Sequence, residues 1–221
     1  MNIVFVKKLI VICAMFLCYV SVVNAQNAAE FANFARYAEA NSQLPEATSG
    51  QPRVVFIGNS ITDGWIMHDP AFFSENGYID RGISGQVTSQ ILLRFRRDVL
   101  DLKPALVVIA GGTNDIAEAA GPYDPEVTLG NFKTMVELAR ANGIKVVIGS
   151  LLPCARFTWG TCPDNAPDAI EKMNAMLRDY AESVGVPFAD YYPHLVVGEE
   201  RALIPDWTFD NIHPTLPGYK V

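Results

Sequence analysis

The feature that most constrains this chain is a rhythm. Five short β-branched or apolar runs, Arg53 to Gly58, Tyr78 to Ile83, Ala105 to Ala110, Ile144 to Gly149 and Val186 to Ala189, alternate with segments of helical spacing. Parallel strands need a crossover between each pair, and a crossover helix covers a face of the sheet, so its strands read as near-continuous apolar runs. The alternation therefore predicts a three-layer α/β/α fold around a five-stranded parallel sheet, with right-handed crossovers. At 221 residues the chain suffices for one such core and is short for two.

The helical segments carry their own punctuation. Val87 to Leu102 sets Ile91, Leu92, Phe95 and Val99 on one face. Asp124-Pro125 supplies an N-cap and first-turn proline for a helix running to about Ala141, which Gly143 stops. Ala169 to Val184 turns Met173, Met176, Leu177 and Tyr180 inward and stops at Gly185. Ala28 to Ala40 puts Phe31, Phe34, Ala35 and Ala38 on one stripe, which predicts a surface helix laid on the domain. The expected organisation is a leader over 1–25, a helix and lead-in over 26–50, and one domain over 51–221, with no repeat or interdomain linker.

The leader is read from three parts. Met1 to Lys8 is a short basic start, Leu9 to Val23 is apolar, and Val23-Asn24-Ala25 is a small-residue cleavage pattern before Gln26. The apolar run of 15 residues falls short of the roughly 20 that a spanning helix needs, so a cleaved signal peptide and an exported protein without stable membrane insertion are expected. Leu17 and Tyr19 are too bulky for lipid attachment at Cys18. Cleavage takes Lys7 and Lys8 from 17 basic residues and no acid, leaving 15 against 24 and a net charge of −9. Phosphate binding needs a basic face, so nucleic acid is a poor partner and a neutral substrate a better one. Cys154 and Cys162 remain in one loop; in an exported protein they are expected to oxidise and stiffen it, while zinc lacks a second pair of ligands.

In doubly wound sheets ligands bind beyond the carboxyl ends of the strands, at the point where strand order reverses. Polar residues collect at those ends here. The first strand runs into Gly58-Asn59-Ser60, which sets a serine at a strand-to-helix turn, where it also reads as an ordinary N-cap. Gly85 follows the second strand and can offer an unshielded backbone N–H or simply make a turn. The third strand ends in Gly111-Gly112-Thr113-Asn114-Asp115, where Asn114 can project over the sheet edge or cap a loop. Near the C-terminus, Asp210-Asn211-Ile212-His213-Pro214 places a carboxylate three residues before an imidazole, close enough to hold one ring nitrogen, though a surface pair would look the same.

Ser60, Gly85, Asn114 and His213, in that order, resemble the four name-giving residues of the SGNH (GDSL-like) hydrolases. The blocks are similar to that family's Gly-Asp-Ser-Leu, post-strand glycine, Gly-x-Asn-Asp and Asp-x-x-His-Pro, and the resemblance extends from about Arg53 to the end. The chain departs from it at Asn59 and Ile61, which stand where the first block has Asp and Leu, and the last residues, Leu216 to Val221, look like only the first turn of the helix that usually follows the histidine block. The expected strand order is the flavodoxin-like 2-1-3-4-5.

The resemblance implies a serine esterase. Ser60 is the expected nucleophile, His213 its base and Asp210 the residue orienting the base, with the Ser60 and Gly85 backbone N–H groups and the Asn114 side chain as oxyanion donors. No cofactor or metal is expected. A neutral imidazole is required, so activity should fall on the acid side. The family contains carbohydrate O-acetylesterases, lipases, lysophospholipases and thioesterases. An acidic exported chain whose Trp65, Trp159 and Trp207 could line the mouth as sugar platforms, or equally pack as core, points to a glycan acetyl ester, with lipid or thioester hydrolysis and a non-catalytic glycan-binding role as alternatives.

Overall fold

The computed structural model describes residues 27–47, 52–160 and 165–221. The leader and Cys162, and with it the expected disulfide, lie outside the described residues. In chain order the helices are α1 (Ala28–Phe31), α2 (Ala38–Ser42), α3 (Ser60–His68), α4 (Pro70–Asn76), α5 (Thr88–Asp98), α6 (Thr113–Ile116), α7 (Pro125–Ala141), α8 (Ala166–Val184), α9 (Tyr192–Leu195) and α10 (Leu216–Tyr219). The strands are β1 (Val54–Gly58), β2 (Tyr78–Gly82), β3 (Leu106–Ile109), β4 (Lys145–Gly149), β5 (Phe188–Ala189) and a small antiparallel pair, β6 (Val196–Val197) and β7 (Ala202–Leu203).

The first five strands form one parallel sheet, as the alternation predicts, in the order β2-β1-β3-β4-β5 that the resemblance implies. The two-residue period of the strands sorts their side chains between two cores. Val55, Ile57, Val107, Ile109, Val146 and Ile148 face a large cluster built with Ile91 and Phe95 of α5, Phe132 and Met135 of α7, and Ile170, Met173 and Leu177 of α8. Phe56 and Val108 face the opposite side, against Phe73 and the flanking Trp65, Phe72 and Tyr78.

The helix ends follow their local chemistry. The Asp124 carboxylate accepts from the N–H groups of Glu126 and Val127, Pro125 has no N–H to satisfy, and Gly143 and Gly185 adopt the left-handed conformation that ends α7 and α8. The N-terminal helix differs from its expected form. It breaks at Asn33, whose φ of 52° closes α1 with Phe34 N–H bonded to Ala29 O and Asn33 N–H to Glu30 O. The chain then turns so that Ala32 and Tyr37, rather than the Phe31, Phe34, Ala35 and Ala38 stripe, are buried. Three polar anchors hold this segment: the Tyr37 hydroxyl on Gly82 O, Gln86 Nε2 on Ala32 O at 2.9 Å, and Gln90 Nε2 on Phe31 O at 2.8 Å.

Strand order reverses between β1 and β3, so the loops after these strands flank the switch point. Two hollows, about 430 Å³ beside Leu106 and Lys145 and about 510 Å³ beside Arg53 and Tyr78, lie at the opposite, amino ends of the strands. Position rather than volume therefore marks the site.

Candidate active site

The turn after β1 is built by close packing. A side chain on Gly58 would bring a Cβ within 2.7 Å of the Ala110 carbonyl, so only glycine lets the strand end pass there. Asn59 follows, 2% exposed, and its Oδ1 accepts from Ile61 N–H at 3.0 Å. Thus the amide standing in place of the family's Asp still caps α3, and Ser60 begins the helix, where backbone N–H groups lack intrahelical partners.

The turn after β2 is tied to that helix. Ser84 donates to Asp63 Oδ2 through both its N–H, at 3.2 Å, and its hydroxyl, at 2.7 Å. Gly85 then takes a φ of 81°. Space around it is open, so the requirement for glycine there is conformational.

After β3, Asn114 is 2% exposed and bonded on both sides. Its Nδ2 donates to Gln86 O at 3.0 Å, which brings it to the Gly85 turn, and its Oδ1 accepts from Trp159 Nε1 at 3.1 Å. The next residue, Asp115, accepts from Thr88 N–H at 2.9 Å and from the Thr88 hydroxyl at 2.5 Å, pinning the start of α5. Burial raises its carboxyl above the usual range, against the pull of these donors.

The C-terminal block closes the site. Asp210 Oδ1 accepts from the N–H groups of Ile212 at 3.0 Å and His213 at 2.8 Å, a turn completed by Asn211 at φ 68°. Its Oδ2 lies 2.6 Å from His213 Nδ1, and His213 Nε2 lies 2.8 Å from Ser60 Oγ. Burial pulls the Asp210 carboxyl upward, but the His213 backbone and ring bonds and the Ile212 N–H outweigh it and hold it below its ordinary value. The imidazole stacks with Phe209, at 5.7 Å and 12°, and with Trp159, at 6.1 Å and 22°.

Beneath these loops lies Arg94, whose side chain is fully buried. It donates to Gly58 O at 2.8 Å, Arg81 O at 2.8 Å and Gln86 Oε1 at 2.6 Å, and pairs with Asp98 at 3.0 Å. One cation thus fastens the ends of β1 and β2 together.

Serine, imidazole and carboxylate thus stand in a hydrogen-bonded row at the carboxyl edge of a doubly wound α/β/α sheet. Residues 56–221 match the GDSL-like lipase/acylhydrolase family, and the chain belongs to that family of ester-bond hydrolases. A GDSL-like lipase from Bacteroides thetaiotaomicron is 51% identical, with 86% of this chain and 93% of that one covered and a TM-score of 0.84. The lipoprotein YqeF of Bacillus subtilis is 37% identical over 67% of this chain and 72% of its own length. Esterase TesA of Pseudomonas aeruginosa is 27% identical over 72% and 74%.

Of the three tryptophans, Trp159 is the one that contacts the Asn114 and His213 side chains among the described residues. Trp65 is packed into the second core, stacked on Phe72 at 4.7 Å and on Tyr219 at 5.6 Å, because α4 and α10 cover the back of α3. Trp207 shapes its loop, its carbonyl accepting from Thr215 N–H at 2.8 Å. Sequence reasoning missed Phe209, Gln86 and Arg94. The position of Phe209 directly before Asp210 was the available signal; a buried arginine has no local signature. Among the described residues, no cluster of His, Cys, Asp and Glu could hold a metal ion.

Proposed function

We propose that this protein is an exported carbohydrate O-acetylesterase working through Ser60, His213 and Asp210. The observation that carries the reading is the unbroken row from Ser60 Oγ through His213 to Asp210, at 2.8 and 2.6 Å. His213 Nε2 takes the serine proton as Oγ attacks the ester carbonyl, and Asp210 fixes the tautomer and offsets the imidazolium charge. Charge on the carbonyl oxygen is met by the Ser60 and Gly85 N–H groups and by the Nδ2 hydrogen of Asn114 not engaged by Gln86. The imidazolium returns its proton to the departing alcohol, leaving an acyl-serine. Water, deprotonated by the same imidazole, then releases the acid and restores Ser60. No step calls on a cofactor.

Two features support acetyl as the acyl group and a sugar as the alcohol. A small cavity of about 50 Å³ is lined by Ile61 and Pro214, the residues that follow Ser60 and His213, together with Trp65 and Leu152, and its size is in keeping with a short acyl group. Phe209 is 64% exposed and stacked on the base, which offers a flat apolar face where the alcohol departs. Export follows from the leader over 1–25, and YqeF, named a lipoprotein, is in keeping with it. Among the described residues no helix is long and apolar enough to cross a membrane.

The test is an acyl-release screen of acetylated saccharides, p-nitrophenyl esters of increasing chain length and a lysophospholipid, with Ser60→Ala as control. Acetate release from the saccharides, lost in the variant, is expected. Preference for long acyl chains would replace this reading with a lipase, and undiminished turnover by Ser60→Ala would remove the nucleophile. Mass analysis of the mature protein from an export-competent host should find Gln26 at its start.

A further inference from the structure

Trp159 sits in the loop after β4, away in sequence from both Asn114 and His213, yet it touches each of them. Its indole N–H reaches Asn114 Oδ1 at 3.1 Å, and its ring lies over the His213 imidazole, 22° from parallel. An indole nitrogen can only donate, and the Gln86 carbonyl on the other side of Asn114 can only accept. The amide therefore has one orientation that satisfies both neighbours, and in that orientation a single N–H remains uncommitted. Asn114 is 2% exposed, so water does not substitute readily for either partner. Phe157, itself buried, packs against the indole with centroids 5.5 Å apart.

We propose that Trp159 is a positioning residue for ester hydrolysis. Its N–H locks the Asn114 amide with the free donor aimed at the oxyanion, and its ring steadies His213, so that one side chain keeps the oxyanion donor and the base in register. This rests on the Ser60 mechanism above. Asn114 rotated about its last bond would present an oxygen to developing negative charge, which is the error the indole prevents. Phe209 lacks this double role, since its ring meets the imidazole and carries no donor.

The experiment separates the two contacts. Trp159→Phe keeps an aromatic face for His213 and removes the indole N–H. In the full chain, kcat for p-nitrophenyl acetate should fall roughly tenfold, about the worth of one hydrogen bond, while KM stays within about twofold. Asn114→Ala alone should lower kcat on the order of 100-fold, and in that background the Trp159→Phe effect should vanish because the amide it orients is gone. Equal fold-losses in both backgrounds, or an unchanged kcat in the single variant, would overturn the proposal.

Tryptophan-labelled protein gives a second readout that does not need the Trp159→Phe variant. The indole N–H resonance displaced by Asn114→Ala should shift when a serine-directed phosphonate places an oxyanion in the site, and should stay in place in Ser60→Ala. A resonance unmoved by the phosphonate in the parent protein counts against the role. Undiminished hydrolysis by Ser60→Ala would instead sink the underlying mechanism, leaving the two failures distinct.

Discussion

Ser60 Oγ and His213 Nε2 stand 2.8 Å apart although 153 positions separate them in the chain, and the far nitrogen of the same ring is held by Asp210 at 2.6 Å. The carboxylate is fixed before it meets the imidazole, because its other oxygen already accepts two backbone N–H groups. Asp210→Asn keeps that turn acceptor but presents an amide to Nδ1, which favours the wrong tautomer. We expect kcat to fall at least about a hundredfold with the thermal midpoint little changed. Steady-state kinetics beside a melting curve decides it; a loss under threefold would reduce Asp210 to a turn residue. Since the Asp210 carboxyl is held below 3.8, its contribution is present above that pH and is lost only as pH falls further.

Arg94 should dominate stability. Its removal takes the paired cation from Asp98, 4% exposed, and one donor each from the Gly58 and Arg81 carbonyls. Arg94→Met is expected to cost about 3–5 kcal/mol in urea unfolding, the range for breaking a buried pair. A cost under about 1 kcal/mol would mean that the loops are held by something else.

Asp80 should make stability depend on pH. Burial raises its carboxyl from 3.8 to about 6, against the hydrogen bonds from Gly82 N–H and Tyr37. A folded-state value above the unfolded one means that the proton is bound more tightly in the native protein. The stability it contributes is complete below about pH 3.8 and is lost as pH rises through about 6. Asp80→Asn retains an acceptor for Gly82 and Tyr37 without the charge. It should be more stable than the parent at pH 8, by on the order of 2 kcal/mol, with the difference closing toward pH 4. Melting curves that stay parallel across this range would rule the titration out.

Phe209 should report on the alcohol. Phe209→Ala is expected to lower kcat/KM for an acetylated disaccharide roughly three- to tenfold and to leave ethyl acetate hydrolysis near the parent rate. Equal losses on both esters would place Phe209 with the base rather than with the substrate.

What the sequence determined by itself is what short-range physics controls. Strand period and helix stops act over a few residues, so Asp124-Pro125, Gly143, Gly185 and the five runs could be read directly, and they imply the sheet. The Ser60, Gly85, Asn114 and His213 blocks each sit at an element's end, where one alone reads as an ordinary cap or turn; it is their order, resembling that of the SGNH hydrolases, that makes them candidates. The N-terminal stripe misled because apolar spacing is only a prior, and Asn33 could close the helix early with its own backbone bonds.

Only the tertiary structure decided which aromatic residues meet the site and which fill the core. Trp65 and Trp159 are the same residue type, yet α4 and α10 pack against the first, while the loop after β4 delivers the second to Asn114 and His213. Arg94 became the tie between β1 and β2 because folding stacked carbonyls from separate strands around one guanidinium. Such contacts join residues with no local relation in the chain, and their energy exists only once the sheet has brought its loops to one edge.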